Sequence, residues 1–169
     1  IWLGAYNPGQ LVADYCFIAK YQATEPTWGS WGSEETPTPS ITNTPSSYDF
    51  GTLAVSTTAD TGLAYFTLSN TGNCVIDVTI YGTDMAGGGY TWTLSDSATP
   101  GDMIYGMKAG LDGGDYTIIV KKTTPYNTLK SGLAVSGTQK FGLKLYTPTS
   151  FSDGNAKSGT ITLTAACSS

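Results

Sequence analysis

The sequence predicts an all-β fold: an antiparallel β-sandwich of eight or nine short strands, preceded by an extended N-terminal strand and a linker. Three observations predict it. Apolar and polar residues alternate with a period of two along most of the chain after Tyr48. Gly, Asn, Asp and Pro clusters punctuate that pattern at sandwich spacing. No segment combines a 3.6-residue apolar period with helix caps.

The first element is LVADYCFIAKYQ, residues 11–22. Leu11, Ala13, Tyr15, Phe17, Ala19 and Tyr21 share one face, with Val12, Asp14, Cys16, Ile18, Lys20 and Gln22 on the other. Fully extended, it spans about 40 Å, well beyond the usual strand of roughly five or six residues. Residues 23–47 form a Pro-, Ser-, Thr- and Gly-rich linker that includes WGSWGS and TPTPSITNTPSS. Such composition reads as an extended spacer and a place for O-glycans. No Asn-x-Ser/Thr sequon occurs.

Residues 48–169 read as the sandwich domain. FGTLAVST (50–57) offers Phe50, Leu53 and Val55 to a core, and LAYFTLSN (63–70) offers Ala64, Phe66 and Leu68. NTGN at 70–73 suits a tight turn, because Asn and Gly tolerate positive φ. CVIDVTIYGTD (74–84) points Cys74, Ile76, Val78 and Ile80 one way and Asp77 the other, so its second face meets water. AGGG (86–89) breaks the chain, and YTWTLS (90–95) turns Trp92 and Leu94 inward. MIYGMK (103–108) and YTIIVKK (116–122) flank Asp112-Gly113-Gly114-Asp115, a hairpin signal. TPYNTLKSG is irregular, and a weak strand is expected over 132–136. QKFGLKLYT (139–147) places Phe141, Leu143 and Leu145 inside, and TITLTAA (160–166) does so with Ile161, Leu163 and Ala165. Clean alternation argues for antiparallel sheets with one wet face.

Composition removes several function classes. Charged residues are 12% of the chain, with eight Lys, no Arg, no His and a net charge of −5. An acidic chain without Arg offers no footprint for a nucleic-acid backbone. Without His there is no Ser-His-Asp or Cys-His apparatus, and the commonest metal ligand is missing. No run of 18 apolar residues marks a membrane span. No signal peptide is visible, but a chain that starts with Ile1 says little about export on that ground. Its Thr- and Tyr-rich, charge-poor make-up resembles that of secreted surface proteins. Cys16, Cys74 and Cys167 lie far apart without a C-x-x-C, so they are disulfide candidates rather than metal ligands. One bond among three choices of pair would leave one thiol over; three buried thiols are the alternative.

The stretch from Phe50 to Asp84 carries a resemblance. Phe50-Gly51-x-Leu53, then Asn70-Thr71-Gly72-Asn73, then Ile76, Val78 and Ile80 resemble the opening of Ig-like sandwich modules of bacterial and archaeal surface proteins and phage virions. SGTITLTA (158–165) is similar to their closing strand. The resemblance covers residues 48–84 and 158–165 and implies an Ig-like or jelly-roll-like module of a surface or a particle. It brings no catalytic residue. A fainter likeness links the chain to TasA-type subunits of extracellular fibres.

Candidate chemistry is sparse. Asp84, Asp96, Asp102, Asp112, Asp115 and Asp153 could hold calcium, but none fits the D-x-[DN]-x-[DN]-G spacing, and turn chemistry is the favoured reading. A glycosidase pair would need two carboxyls across one bond, which spacing alone does not place. Trp28, Trp31, Tyr6, Tyr90 and Tyr105 could stack on sugar rings; an interface role is favoured for the two Trp. A Lys–Asp or Lys–Asn isopeptide would need a buried Lys, whereas the lysines read as lying on wet faces.

The expected function is therefore structural and not enzymatic, without cofactor or metal. The chain reads as a subunit of an extracellular assembly, a pilus-like surface filament or a virion component. Its partner is itself, joined head-to-tail by β-strand addition of residues 11–22 to a neighbour. Leu11, Ala13, Tyr15, Phe17, Ala19, Tyr21, Trp28 and Trp31 are the expected interface. The alternative is a carbohydrate-binding or adhesive module that takes surface glycans without polymerising.

Overall fold

Period-two alternation becomes a strand wherever its apolar half finds a second layer to cover it. The computed structural model describes residues 32–168. Among them are eleven strands and no helix. The strands are β1 (Ile41–Thr44), β2 (Thr58–Asp60), β3 (Phe66–Asn70), β4 (Ile76–Gly82), β5 (Met85–Gly87), β6 (Tyr90–Leu94), β7 (Ile104–Leu111), β8 (Ile118–Ile119), β9 (Asn127–Leu133), β10 (Thr138–Tyr146) and β11 (Ile161–Cys167). The larger sheet runs β1-β3-β10-β7-β6-β5, with β2 on β10 and β8 on β7. The smaller sheet runs β11-β4-β9. The fold is thus all-β and sandwich-like, with one strongly curled sheet.

The core lies between the layers and obeys the alternation. Ile76, Val78 and Ile80 of β4 are fully buried against Phe66, Leu68, Tyr105, Met107, Phe141, Leu143 and Leu145 of the larger sheet. Trp92 and Leu94 point inward from β6, and Val120 is buried beyond β8. Asp77 takes the outer face of β4, where its Oδ1 accepts the Gly132 amide at 2.8 Å. Burying each large apolar side chain contributes about 1.5–3 kcal/mol.

Two devices fix one end of the sandwich, one between the layers and one within the smaller sheet. Asn70, at the end of β3, is only 2% exposed. Its Nδ2 donates to the carbonyls of Cys74, Leu133 and Ala134, and its Oδ1 accepts the Gly72 amide. One side chain so ties the β3–β4 turn to the β9–β10 turn. Beside it, a Cys74–Cys167 disulfide joins the start of β4 to the end of β11, across 93 residues of sequence. That selects one of the three pairings; Cys16 lies outside the described residues.

Several expectations are corrected. The linker 23–47 is not structureless throughout: β1 lies inside it and pairs with β3, from Ile41↔Asn70 to Thr44↔Thr67. Residues 50–57 form no strand. Asp49 Oδ1 accepts the Gly51 amide, Gly51 and Ser56 take positive φ, and buried Thr147 holds Ala54 and Thr57 through its hydroxyl. The 116–122 strand shrinks to β8, because the chain changes sheets there. Ile118 and Ile119 pair with β7, and Lys121 already bridges to Tyr81 of β4. The weak strand at 132–136 is instead β9, inside the stretch read as irregular. AGGG holds a hairpin, with Gly88 and Gly89 at positive φ between β5 and β6. The β6–β7 pairing is parallel, the one exception to the antiparallel pattern among the named strand pairs. The count is eleven rather than eight or nine because β1, β2 and β5 escape the alternation test, being only three or four residues long.

Closing a long loop lowers the entropy of the unfolded chain. Replacing Cys74 and Cys167 together by Ser should lower the unfolding free energy by about 2–5 kcal/mol. Urea unfolding monitored by tryptophan fluorescence checks this, and an unchanged midpoint would contradict a structural role for the bond.

Candidate functional site

The two sheets do not match in width. Among the described residues, β11 has β4 on one edge and no partner on the other, and β1 likewise has only β3. The inward residues of β11, Ile161, Leu163 and Ala165, pack on the core but stay half-buried, whereas Ile76, Val78 and Ile80 beside them are sealed. Ile41 and Asn43 of β1 are half-buried in the same way. Between these edges runs a groove of about 970 Å³. Its apolar walls are Phe66, Met107, Phe141, Leu143, Leu145 and Leu163. One rim is the segment Ser46–Leu53, where Tyr48 packs edge-on against Phe50 and Tyr65 at 4.8 and 4.7 Å. A shallower extension lies directly between β1 and β11, lined by Ile41, Asn43, Ser46, Ile161, Thr162 and Leu163.

Beyond Ile161 the groove turns polar. The loop Phe151–Thr160 closes that end and packs on β5 and β6. Phe151 lies 5.1 Å from the Trp92 ring. Lys157 is almost fully buried, its side chain 2% exposed, and its Nζ donates to Asp153 Oδ1 at 2.5 Å and to the Gly87 carbonyl at 2.6 Å. The hydrogen bond from Lys157 holds the Asp153 carboxyl below its ordinary pKa. A β-carbon on Gly87 would sit 1.9 Å from the Ala156 carbonyl, so only glycine lets the loop close onto β5. Lys157 thereby corrects the expectation that the lysines all lie on wet faces. Its partner is an ion pair four residues away, with no third carboxylate or thiol grouped beside it among the described residues.

Buried polar atoms normally find partners. Among the described residues four side-chain atoms do not, and three of them lie on residues that line this groove: Asn43 Oδ1, Trp92 Nε1 and Asp153 Oδ2. Sequence reasoning placed Trp92 in the core but missed the groove, because no strand pattern shows which sheet edge lacks a neighbour. Leu11, Ala13, Tyr15, Phe17, Ala19, Tyr21, Trp28, Trp31 and Cys16 lie outside the described residues.

The other candidates are dispersed. Tyr105 is fully buried and donates its hydroxyl to the Thr83 carbonyl at 2.5 Å, so it cannot stack on a sugar. Burial, aided by the nearby Asp84 charge, pushes its pKa well above the ordinary phenol value. Tyr90 remains exposed on the β5–β6 hairpin. Asp84 accepts the Leu94 amide and pairs with Lys122 at 3.0 Å. Asp96 accepts the Thr123 hydroxyl and the Lys122 amide, and the hydroxyl bond lowers its pKa. Asp102 accepts the Ser150 hydroxyl. These acids close turns and corners.

No family model, no curated protein and no solved structure matches the chain.

Asp153 titrates below its unfolded value of about 3.9. Its pairing with Lys157 therefore stabilises the groove loop in full above that pH, and the contribution is lost as pH falls through the lowered folded pKa. Acid unfolding of Asp153→Asn should lack this part of the pH dependence; an acid limb identical to wild type would contradict it. Gly87→Ala should loosen the same loop, read as faster amide exchange over residues 151–160.

Proposed function

We propose that the chain is a structural subunit of an extracellular assembly, a surface filament or a virion component, whose copies join by β-strand addition. Residues 11–22 of one copy lie in the groove between β1 and β11 of the next. The observation that supports this reading is an apolar groove of about 970 Å³ between two edges that lack a neighbour among the described residues. An extended segment fits that opening in kind. Its backbone completes the β11 ladder, and alternate side chains drop between the layers. Residues 11–22 supply that alternation, and Leu11, Tyr15, Phe17 and Tyr21 supply the bulk. Each large side chain so covered contributes about 1.5–3 kcal/mol. The contact is head-to-tail, so it need not close and propagates into a polymer.

Two further features support the reading. The β11 edge has no second neighbour among the described residues, and such an edge is an aggregation hazard that sandwich proteins manage by covering it. Net charge −5 with 12% charged residues suits a chain whose surface is partly hidden in an assembly.

Negative-stain microscopy of the full-length chain should show fibres or particles. Phe17→Asp, which would place a charge in the apolar part of the groove, should leave folded monomers by sedimentation. Wild-type chains that stay monomeric at high concentration, or Phe17→Asp chains that assemble normally, would overturn the proposal.

A further inference from the structure

Alternation puts every second residue of β7 and β10 on the outer face of the larger sheet, away from the groove. Met107, Ala109, Leu143 and Leu145 point into the core. Gly106, Lys108 and Gly110 of β7 point out, with Gly142, Lys144 and Tyr146 of β10. In the register Lys108 faces Lys144, Gly110 faces Gly142 and Gly106 faces Tyr146. The three glycines are buried although they face outward, because loops lie on them. A β-carbon on Gly106 would meet the Ala98 carbonyl, one on Gly110 the Asp115 carbonyl, and one on Gly142 the Gly62 carbonyl. Main chain thus closes the face at both ends and leaves a bay between, about 13 Å long. Its flanks are β8 and β2, paired through Lys108↔Ile119 and Lys144↔Asp60.

The floor of this bay is cationic. Lys108 Nζ lies 5.8 Å from the centre of the Tyr146 ring and Lys144 Nζ 5.9 Å from it; Lys144 Nζ is also 5.8 Å from the Tyr116 ring. Like charges directly opposite across a ladder are destabilising. No carboxylate offsets them: the ion pairs among the described residues are Lys122–Asp84 and Lys157–Asp153. Asp60, beside Lys144 in the register, turns its Oδ1 to the Gly62 amide at 3.0 Å and the Tyr116 hydroxyl at 3.3 Å. In a chain with no Arg and no His, two lysines spent on one unneutralised pair call for an anion from outside.

We propose that the bay binds the carboxylate of an acidic sugar, a uronate unit of an anionic polysaccharide. Lysine stems rooted about 5 Å apart on one face are long and flexible enough to converge on one carboxylate. That carboxylate cancels their repulsion and accepts a charge-assisted hydrogen bond from each. Tyr146 and Tyr116 present an apolar body and a polar tip, which match the C–H face and the hydroxyl rim of a pyranose. A bay closed at both ends by main chain admits a protruding ring and excludes a flat protein surface. The site lies on the opposite side of the larger sheet from the groove, so it stands independently of strand addition.

Calorimetric titration of the full-length chain with trigalacturonate tests this, with maltotriose and triglutamate as its neutral and peptide counterparts. Trigalacturonate should bind, and Lys108→Gln and Lys144→Gln should each weaken it about five- to tenfold. Lys140→Gln removes the same charge from β10 beyond the Gly142 wall and should leave binding unchanged. Tyr146→Leu should weaken trigalacturonate as well. Neither bay variant should lower the urea midpoint, since each removes a repulsion; should one unfold, the other carries the test. Absence of trigalacturonate binding would overturn the proposal, as would a Lys140→Gln effect equal to that of Lys144→Gln, which reads as a diffuse field. Triglutamate binding as tightly would assign the bay to acidic peptides, and maltotriose binding that ignores both lysines would assign it to neutral sugars; either result overturns the proposal.

Discussion

Three strands cannot cover a layer six strands wide. Among the described residues, that mismatch between β11-β4-β9 and β1-β3-β10-β7-β6-β5 sets where the inward row of the smaller sheet is sealed and where it is only half-buried. Where β4 crosses the centre, the core is sealed: Ile76, Val78 and Ile80 have no exposure, and Tyr105 and Leu68 face them equally buried. Where β11 ends the small sheet among the described residues, its inward row is half-covered, and a groove begins whose lining includes the buried side chains of Phe66, Phe141 and Leu143. The hydrophobic effect favours closing that groove. Under the strand-addition proposal the β11 edge, which has no second neighbour among the described residues, is met by an extended chain that satisfies backbone and groove lining at once.

Two parts of the structure are held by different devices. Asn70 and the Cys74–Cys167 bond lock β3, β4, β9 and β11 together. At the polar end of the groove the loop Phe151–Thr160 is held by the buried Lys157, through Asp153 and the Gly87 carbonyl. A buried ion pair is weak evidence for stability, since desolvation offsets much of its attraction. Its place here is better understood as orientation: it fixes Asp153 and, through the Gly87 carbonyl, the loop against β5.

Much of the fold was legible in the sequence, and the legible part has a physical signature. β3, β4, β6, β7, β10 and β11 are long enough for alternation to show, and each has its inward row where the pattern puts it. Residues 50–57 carry large apolar residues too, yet amide hydrogen bonds to Asp49 and Thr147 and positive φ at Gly51 and Ser56 turn them into a rim. β1 hides in a Pro- and Thr-rich stretch because an edge strand with one wet face needs few apolar residues; Ile41 is its one large contribution. Cys74 and Cys167 read only as disulfide candidates, since pairing depends on a register between β4 and β11 that no local pattern encodes. The groove was hidden for the same reason. Alternation tells which side of a strand faces inward, and it is silent about what covers that side. Lys157 shows the limit most clearly: a lysine in a Gly-, Asn- and Ser-rich loop reads as solvated, and only the carbonyl of Gly87 and the carboxylate of Asp153 explain its burial.

Amide hydrogen exchange along β11 tests the central claim most directly, with the full-length chain compared below and above its assembly concentration. The backbone N–H groups of Ile161–Cys167 that face away from β4 should exchange freely in the dilute chain and become strongly protected in the assembled material, together with residues 11–22. Protection of those amides already complete in dilute monomers, or unchanged on assembly, would contradict an incoming strand from a second copy.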